Sequence, residues 1–472
     1  MSIGVIFALL FVIMLIVMFS GAPVFSGLGF AGIVGILIFL SSRQLQQIGV
    51  IAYSQGTSYN QIILPMFVMM SEFLSRGKVA EDIFAVLNRG VGRFKGGLAI
   101  ATTLACTIFA ALCGSSPATA ASIGRISIQE MTKRGYSPAF AVGTVAASGT
   151  LGIMIPPSIT LCFFGILTET SIVQLLMAGI IPGLITAVFL VVFILVRVRI
   201  NPRLINWVEE SESGPKPAGD LDSAAVRDIV NGAKMMAQQE AHDKALGTKQ
   251  AQAAKGGVTV FTIIPALILI LVVLGSMYFG FATPLEAAGY GVIGAFLITL
   301  IQRRLTKKMF FEVLSGTTRT GAMMVFLIIC GFVLTFCVSF LGIPTGISNA
   351  ITQSGLDKYV VLVLVYVVWF IFGCLMDPSS VVILTVPFIF VPLRNLGFDP
   401  LWIGVVTVIA SQIGMITPPI GMNLFVLKAN TDLPMKHIIS GSVPFVILLV
   451  IALAFFTIFP GFATFLPRLM FS

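Results

Sequence analysis

The sequence predicts an all-α polytopic membrane protein built from two inverted-topology repeats, each with about five membrane-crossing helices and one re-entrant hairpin. Three observations predict this fold class. The 472-residue chain is strongly apolar, a set of Gly, Pro and Ser motifs occurs twice at a constant separation, and basic residues concentrate in different loops of the two copies. Duplicated and inverted halves of this kind meet near the middle of the membrane.

Composition places the chain in a lipid bilayer. Hydrophobic residues make up 57% of the sequence and charged residues only 10%, with a mean hydropathy of +1.04. Soluble domains carry about 25% charged residues. Apolar runs such as 258–277 and 359–376 can each cross a hydrocarbon layer about 30 Å thick. They lack the alternation of barrel strands, so we expect helices.

The duplication is visible in glycines and prolines that recur 262 positions apart. The pairs are Gly135 and Gly397, Pro138 and Pro400, Gly152 and Gly414, and Pro156 and Pro418. Because the spacing is constant across four pairs, we interpret the chain as two copies of one ancestral unit.

Basic residues predict that the two copies have opposite orientations. The loop 76–96 holds five basic residues, whereas its counterpart near 338–358 holds only Lys358. The loop 303–319 also holds five, and its counterpart near 44–60 holds none. Because basic loops stay on the cytoplasmic side, the same loop must face opposite sides in the two copies.

These patterns divide the chain into three segments. We expect inverted repeat 1 over 1–199, a cytoplasmic linker over 200–256 and inverted repeat 2 over 257–472, with both termini on the periplasmic side of a bacterial inner membrane. The linker is polar, and its seven basic and eight acidic residues nearly cancel. It is therefore predicted to be a solvated connection, although a regulatory or docking role remains open.

Four interruptions of apolar segments are the candidate functional elements. Two are hairpin tips, near 113–117 and 376–380, and two are broken helices, near 149–158 and 411–421. Interrupted helices expose backbone polar groups, which persist at membrane depth only where protein or a solvated cavity surrounds them. Freed carbonyls and serine hydroxyls suit Na⁺, and helix N-termini suit a carboxylate.

Asp377 is the most informative residue of the second tip. It is the only acid between Asp357 and Asp399, and an acid at membrane depth is a functional-site candidate by default. It also fits the N-cap of the returning helix, with Pro378 at the first helical position. Both roles remain open at this stage.

At these motifs the sequence resembles the large membrane subunit of the tripartite ATP-independent periplasmic (TRAP) transporters. The resemblance rests on Gly-Ser-Ser at the first tip, Gly-x-x-x-Pro-Pro-Ser from Gly152, and Gly-Met-Ile-Thr-Pro-Pro-Ile-Gly-Met-Asn-Leu-Phe from Gly414. It implies an elevator-type transporter that works with a small four-helix membrane subunit and a periplasmic substrate-binding protein. It also implies import of organic acids, such as dicarboxylates or sialic acid, driven by a Na⁺ gradient.

The resemblance and the interrupted helices together give the candidate site residues. We expect two Na⁺ sites, each combining one tip with one broken helix, and an organic acid bound between them. The Na⁺ candidates are Ser115, Ser116, Gly152, Pro156, Asp377, Ser379, Gly414 and Thr417. The substrate-binding candidates are Ser116, Ser158, Ser380 and Asn423.

Other functions are less compatible with the sequence. A stand-alone Na⁺- or H⁺-coupled carboxylate carrier of the same superfamily remains an alternative, and a passive channel is a weaker one. We expect no enzyme and no organic cofactor, because the chain has two histidines and no phosphate-binding GxxxxGK[ST] loop. The net charge of +9 is scattered over short loops, so no nucleic acid partner is expected.

Overall fold

The computed structural model describes residues 3–206, 262–431 and 433–471, so most of the predicted linker lies outside the described residues. The described part contains twenty α-helices and no β-strand. The all-α prediction is therefore confirmed.

Ten helices and two intervening turns make up the first half. They are α1 (Ile3–Phe19), α2 (Val24–Phe39), α3 (Gln46–Gly56), α4 (Tyr59–Arg76), α5 (Val79–Val91), α6 (Gly97–Cys113), α7 (Ser116–Lys133), α8 (Pro138–Gly149), α9 (Ile159–Thr168) and α10 (Ile172–Ile200). A short 3₁₀ turn at Ser42–Leu45 precedes α3, and another at Thr150–Ile153 follows α8. A third, at Pro202–Leu204, follows α10.

The second half repeats this order. It consists of α11 (Ile264–Tyr278), α12 (Pro284–Ile301), α13 (Lys307–Phe340), α14 (Ile343–Ser354), α15 (Lys358–Leu375), α16 (Pro378–Asn395), α17 (Pro400–Met415), α18 (Met422–Asn430), α19 (Met435–Ile458) and α20 (Gly461–Phe471). Helices α7 and α16 begin 262 residues apart, as do α8 and α17. One difference is that α13 is continuous, whereas its counterpart is divided into α3 and α4.

The two hairpins, α6/α7 and α15/α16, enter the protein from opposite ends of α10. This helix has 29 residues and is about 43 Å long at 1.5 Å per residue. Beyond its C-terminal end, the carbonyl of Leu204 accepts a 2.9 Å hydrogen bond from the N–H of Ser137, beside the open end of the first hairpin. Near its start, Gln174 lines a cavity of about 320 Å³ together with Arg394 and Asp399, beside the open end of the second. The two hairpins therefore point into the protein from opposite sides, as inverted repeats require.

Six described helices are long and apolar enough to cross a membrane: α10, α12, α13, α15, α16 and α19. Two of these, α15 and α16, are the arms of the second hairpin. Length and composition therefore do not distinguish a re-entrant arm from a crossing helix, and only the position of the tip does so.

Ion pairs join the two strongly basic loops at one end of the molecule. Arg304 lies 2.8 Å from Asp82, and its guanidinium also donates to the Gly77 carbonyl over 2.6 Å. Arg76 lies 2.6 Å from Glu312. The loops 76–96 and 303–319 thus share one face, which agrees with their predicted common side.

The segment 76–96 is more ordered than the sequence analysis assumed. It contains α5, whose buried positions include Val79, Ile83 and Phe84. Residues four positions apart share one side of a helix, as Val79 does with Ile83. This connection therefore packs against the core, while Glu81 and Arg89 are exposed.

Candidate functional site

The first hairpin tip packs directly on the first broken helix. Between α6 and α7 the chain turns at Gly114, whose φ of +67° is rarely adopted by L side chains. The N–H of Ile159, the first residue of α9, donates to the Gly114 carbonyl over 3.4 Å. A Cβ at position 114 would collide with the carbonyl oxygen of Pro157. Glycine is therefore required here both by conformation and by the close approach.

Two oxygen atoms lie close to Gly152 in this break. A Cβ there would lie 2.6 Å from the Ser115 carbonyl oxygen and 2.7 Å from Thr119 Oγ1. Thr119 Oγ1 itself donates to the Ser115 carbonyl over 2.9 Å. The structure thus brings together two predicted residues, one from the tip and one from the break. Oxygen donors of this type fit Na⁺.

Ser158 closes the first break. Its hydroxyl donates to the Ile153 carbonyl and accepts from the Leu161 N–H over 3.2 Å. Because a hydroxyl has a single proton, Ser158 can offer a ligand only its remaining lone pair. That leaves it poorly suited to bind a carboxylate, which needs donors.

The second hairpin tip packs on the second broken helix in the same way. The N–H of Gly421 donates to the Cys374 carbonyl over 3.0 Å. A Cβ on Gly414 would lie 2.6 Å from the Cys374 nitrogen and would collide with the carbonyl carbon of Gly373. Thr417 Oγ1 donates back to the carbonyl of Ile413 over 2.7 Å. Both repeats therefore combine a tip with an opened helix.

Asp377 caps the returning helix α16. One carboxylate oxygen accepts from the Ser380 N–H over 3.1 Å, and the other accepts from the Ser380 hydroxyl. The side chain remains half-buried, as does that of Ser379. Asp377 therefore does cap the helix. Each of its carboxylate oxygens still has a lone pair that could bind a cation.

The two breaks differ in exposure. All residues from 151 to 160 are buried, including Pro156, whereas Pro418, Pro419 and Ile420 are exposed. Unwound backbone is not stable against lipid. The second break is therefore expected to border a solvated cavity or another protein surface.

A hydrogen bond crosses between the repeats at the first tip. The amide nitrogen of Asn423, at the start of α18, donates to Ser116 Oγ over 2.8 Å although the two residues are 307 positions apart. It also lies 3.3 Å from the Ala146 carbonyl. Two predicted substrate-binding residues are thereby brought into contact. Within the part of the chain that the structure describes, no hydrogen bond joins the first tip to the second.

Gln412 is a candidate site residue that the sequence motifs did not indicate. It lies in α17, two positions before Gly414, and is 0% exposed. Neither polar atom of its side chain has a hydrogen-bond partner among the described residues. An unpaired buried amide costs about 1–3 kcal/mol, so this group is available to a ligand. The sequence does mark this residue, because Gln412 is the only amide side chain in the apolar run 400–416.

A second missed feature is the contact between α4 and the first hairpin. Ser71 Oγ lies 2.8 Å from Cys113 Sγ, and Ser75 Oγ lies 2.9 Å from Ser122 Oγ. Serines four positions apart lie on one helix face. This face of α4 is the polar part of the surface on which the hairpin rests.

Comparison with known proteins identifies relatives over nearly the whole length. The family model described as "Tripartite ATP-independent periplasmic transporter, DctM component" matches residues 11–462. The chain is 32% identical over 442 residues to the C4-dicarboxylate TRAP transporter large permease protein DctM of Pseudomonas aeruginosa, covering 93% of each protein. It is 26% identical over 453 residues to the sialic acid TRAP transporter large permease protein SiaM of Vibrio cholerae, covering 96% of each.

A solved structure shares the fold. The crystal structure of the Alcanivorax borkumensis YdaH transporter, described as having an unusual topology, aligns with a TM-score of 0.62. The alignment covers 91% of this chain and 89% of that one at 12% sequence identity. At this identity the likeness concerns the fold alone.

Proposed function

Because the chain belongs to the DctM family of tripartite ATP-independent periplasmic transporters, we propose that it is the large membrane subunit of a binding-protein-dependent secondary transporter. It imports organic acids, such as dicarboxylates or sialic acid, and a Na⁺ gradient drives the import. The observation that carries this proposal is the pair of hairpin tips, each packed on an opened helix and entering from opposite ends of α10.

The oxygen atoms at the tips support Na⁺ as the coupling ion. In repeat 1, Ser115, Ser116, Gly152 and Pro156 would hold one ion, in the region where oxygens already crowd the Gly152 backbone. In repeat 2, Asp377, Ser379, Gly414 and Thr417 would hold the other. Bound Na⁺ would supply positive charge beside an anionic substrate.

The substrate site would lie where the tips approach each other. Helix α7 begins at the first tip without a side-chain cap, and unpaired N–H groups at a helix N-terminus favour carboxylates. At the second tip the Asp377 carboxylate already caps α16. Ser116, Ser158, Ser380 and Asn423 are the proposed side chains, and Ser116 is the strongest of them. The other three already donate their protons within the protein: Ser158 to Ile153, Ser380 to Asp377, and Asn423 to Ser116 and Ala146.

The proposal includes partners, location and movement. A small four-helix membrane subunit would share the bacterial inner membrane with this chain, and a periplasmic binding protein would deliver the substrate. The bundle of hairpins and broken helices would move as an elevator against α1–α5 and α11–α14.

The function is tested by uptake into proteoliposomes that contain this chain and its small subunit. We expect labelled succinate or sialic acid to enter only with the cognate binding protein and an inward Na⁺ gradient, and entry to stop when a Na⁺ ionophore is added. Uptake without the binding protein would favour the stand-alone carrier. Passive equilibration that ignores the Na⁺ gradient would favour a channel.

The proposed orientation places the basic loops in the cytoplasm and both termini in the periplasm. Gly90 and Thr352 are exposed positions on the two predicted faces. We expect Thr352→Cys to react with a membrane-impermeant maleimide when added to spheroplasts, and Gly90→Cys to react only after permeabilisation. Equal labelling of both positions before permeabilisation would contradict the inversion.

A further inference from the structure

We propose that Asn423 of repeat 2 is a positioning residue for the cation site of repeat 1, and that it acts through Ser116. The inference rests on the proposed function, because it assigns Asn423 a role in cation binding. It differs from the predicted role of Asn423 as a direct substrate ligand.

The geometry fixes how the Asn423 amide is oriented. Its nitrogen lies 2.8 Å from Ser116 Oγ and 3.3 Å from the Ala146 carbonyl oxygen. A carbonyl oxygen can only accept hydrogen bonds, so the NH₂ group must face repeat 1 and the amide oxygen must face away. Asn423 and Ser116 are both 0% exposed, so water does not compete for this contact.

This bond determines what the Ser116 hydroxyl can offer. A hydroxyl has one proton and two lone pairs, and the Asn423 N–H occupies one lone pair. A cation approaching Ser116 Oγ would therefore meet the remaining lone pair, whose direction is set by a residue of the other repeat. A ligand atom held in advance does not have to be ordered during binding.

The arrangement is one-sided. The residue 262 positions before Asn423 is Leu161, and the residue 262 positions after Ser116 is Pro378. Repeat 1 therefore has no matching amide–hydroxyl pair to give to the second tip. A change in the second break, which carries α18, would alter the first cation site through this bond. The two proposed cation sites would consequently be coupled.

The test is a Na⁺ titration of thermal unfolding on the purified full-length chain, with choline replacing Na⁺ at constant ionic strength. A ligand that binds only the folded state stabilises it by RT ln(1 + [L]/Kd), so the unfolding temperature rises with ligand concentration. The Na⁺ midpoint is the concentration at which this stabilisation reaches RT ln 2, and that concentration equals Kd. We expect Asn423→Leu, which installs the residue found at the matching position of repeat 1, to raise the Na⁺ midpoint about tenfold. Loss of a group that orients a metal ligand typically weakens binding by 10–100-fold.

A double-mutant cycle separates positioning from general damage. In a Ser116→Ala background, Asn423→Leu is expected to cause no further change in the Na⁺ midpoint. The matched control is Asn430→Leu, on the same helix, whose amide donates to Val426 of its own turn and which is exposed. This control is expected to keep the wild-type midpoint.

The outcomes are distinguishable. A Na⁺ midpoint unchanged by Asn423→Leu, with only a lower unfolding temperature in choline, would overturn the positioning role and leave a structural one. An equal shift in the wild-type and Ser116→Ala backgrounds would also overturn it, since the effect would not pass through Ser116. A wild-type protein whose unfolding temperature ignores Na⁺ would overturn the proposed Na⁺ coupling itself.

Discussion

Gly414→Ala is expected to reduce uptake at least a hundredfold while the chain still inserts into the membrane. The added Cβ would lie 2.6 Å from the backbone nitrogen of Cys374 and would collide with the carbonyl carbon of Gly373. Backbone atoms cannot rotate away as a side chain can, so the second tip would have to separate from the second break. Overpacking typically destabilises a packed region by about 1–3 kcal/mol. Here it would destabilise the contact that joins the second tip to the opened helix.

The matching change in repeat 1 is Gly152→Ala. Its Cβ would lie 2.6 Å from the Ser115 carbonyl and 2.7 Å from Thr119 Oγ1. The nearest backbone atom is farther away than at Gly414, and the other close oxygen belongs to a threonine side chain that can rotate. We therefore expect a smaller loss than for Gly414→Ala, of about tenfold. Both variants are measured as initial uptake rates in proteoliposomes, normalised to the monodisperse protein recovered.

The control for both is Gly289→Ala. Gly289 lies within α12, and a Cβ there would meet no atom within 4 Å. It makes the same chemical change in a helix away from the tips, and uptake is expected to remain near the wild-type rate. If Gly414→Ala kept more than half of the wild-type rate, the close packing of tip on break would not be required for transport.

The features that could be predicted from the sequence are those with a local signal. A tip needs Gly and Ser next to a helix start, and a break needs consecutive prolines, which cannot donate to the preceding turn. Gly114 and Pro156 therefore lie where the motifs indicated. Because the motifs recur at a constant spacing, a helix start predicted in one half also predicts its counterpart in the other. The starts of α7 and α16 could therefore be predicted together.

Contacts between distant segments could not be predicted in this way. The Asn423–Ser116 bond spans 307 positions, and no periodicity in either segment specifies its partner. The different exposure of Pro156 and Pro418 depends on which neighbours cover each break, and the two motifs are nearly identical. The unpartnered amide of Gln412 became visible only when its burial and its surroundings were known.

Asp377→Asn is expected to raise the Na⁺ midpoint at least tenfold with little change in stability measured in choline. Asparagine caps helices about as well as aspartate, so the bond from the Ser380 N–H, 3.1 Å in the wild type, has an acceptor in both proteins. The substitution removes the negative charge, so a bound cation would lose its electrostatic attraction to this side chain. Asp377→Ala removes both the charge and the cap, and is expected to lower the unfolding free energy by about 1 kcal/mol as well.

Asp399→Asn provides the matched control for Asp377→Asn. Asp399 caps α17 by accepting from the Leu401 N–H over 2.8 Å, so it has the same local role outside the tips. It also pairs with the exposed Arg468 at 3.2 Å, and exposed pairs contribute little to stability. We expect its Na⁺ midpoint to match the wild type. An ion held at the second tip would respond to the loss of the Asp377 charge. If Asp377→Asn also retained the wild-type midpoint, Asp377 would therefore be a helix cap alone, and the charge at the second tip would have no part in coupling.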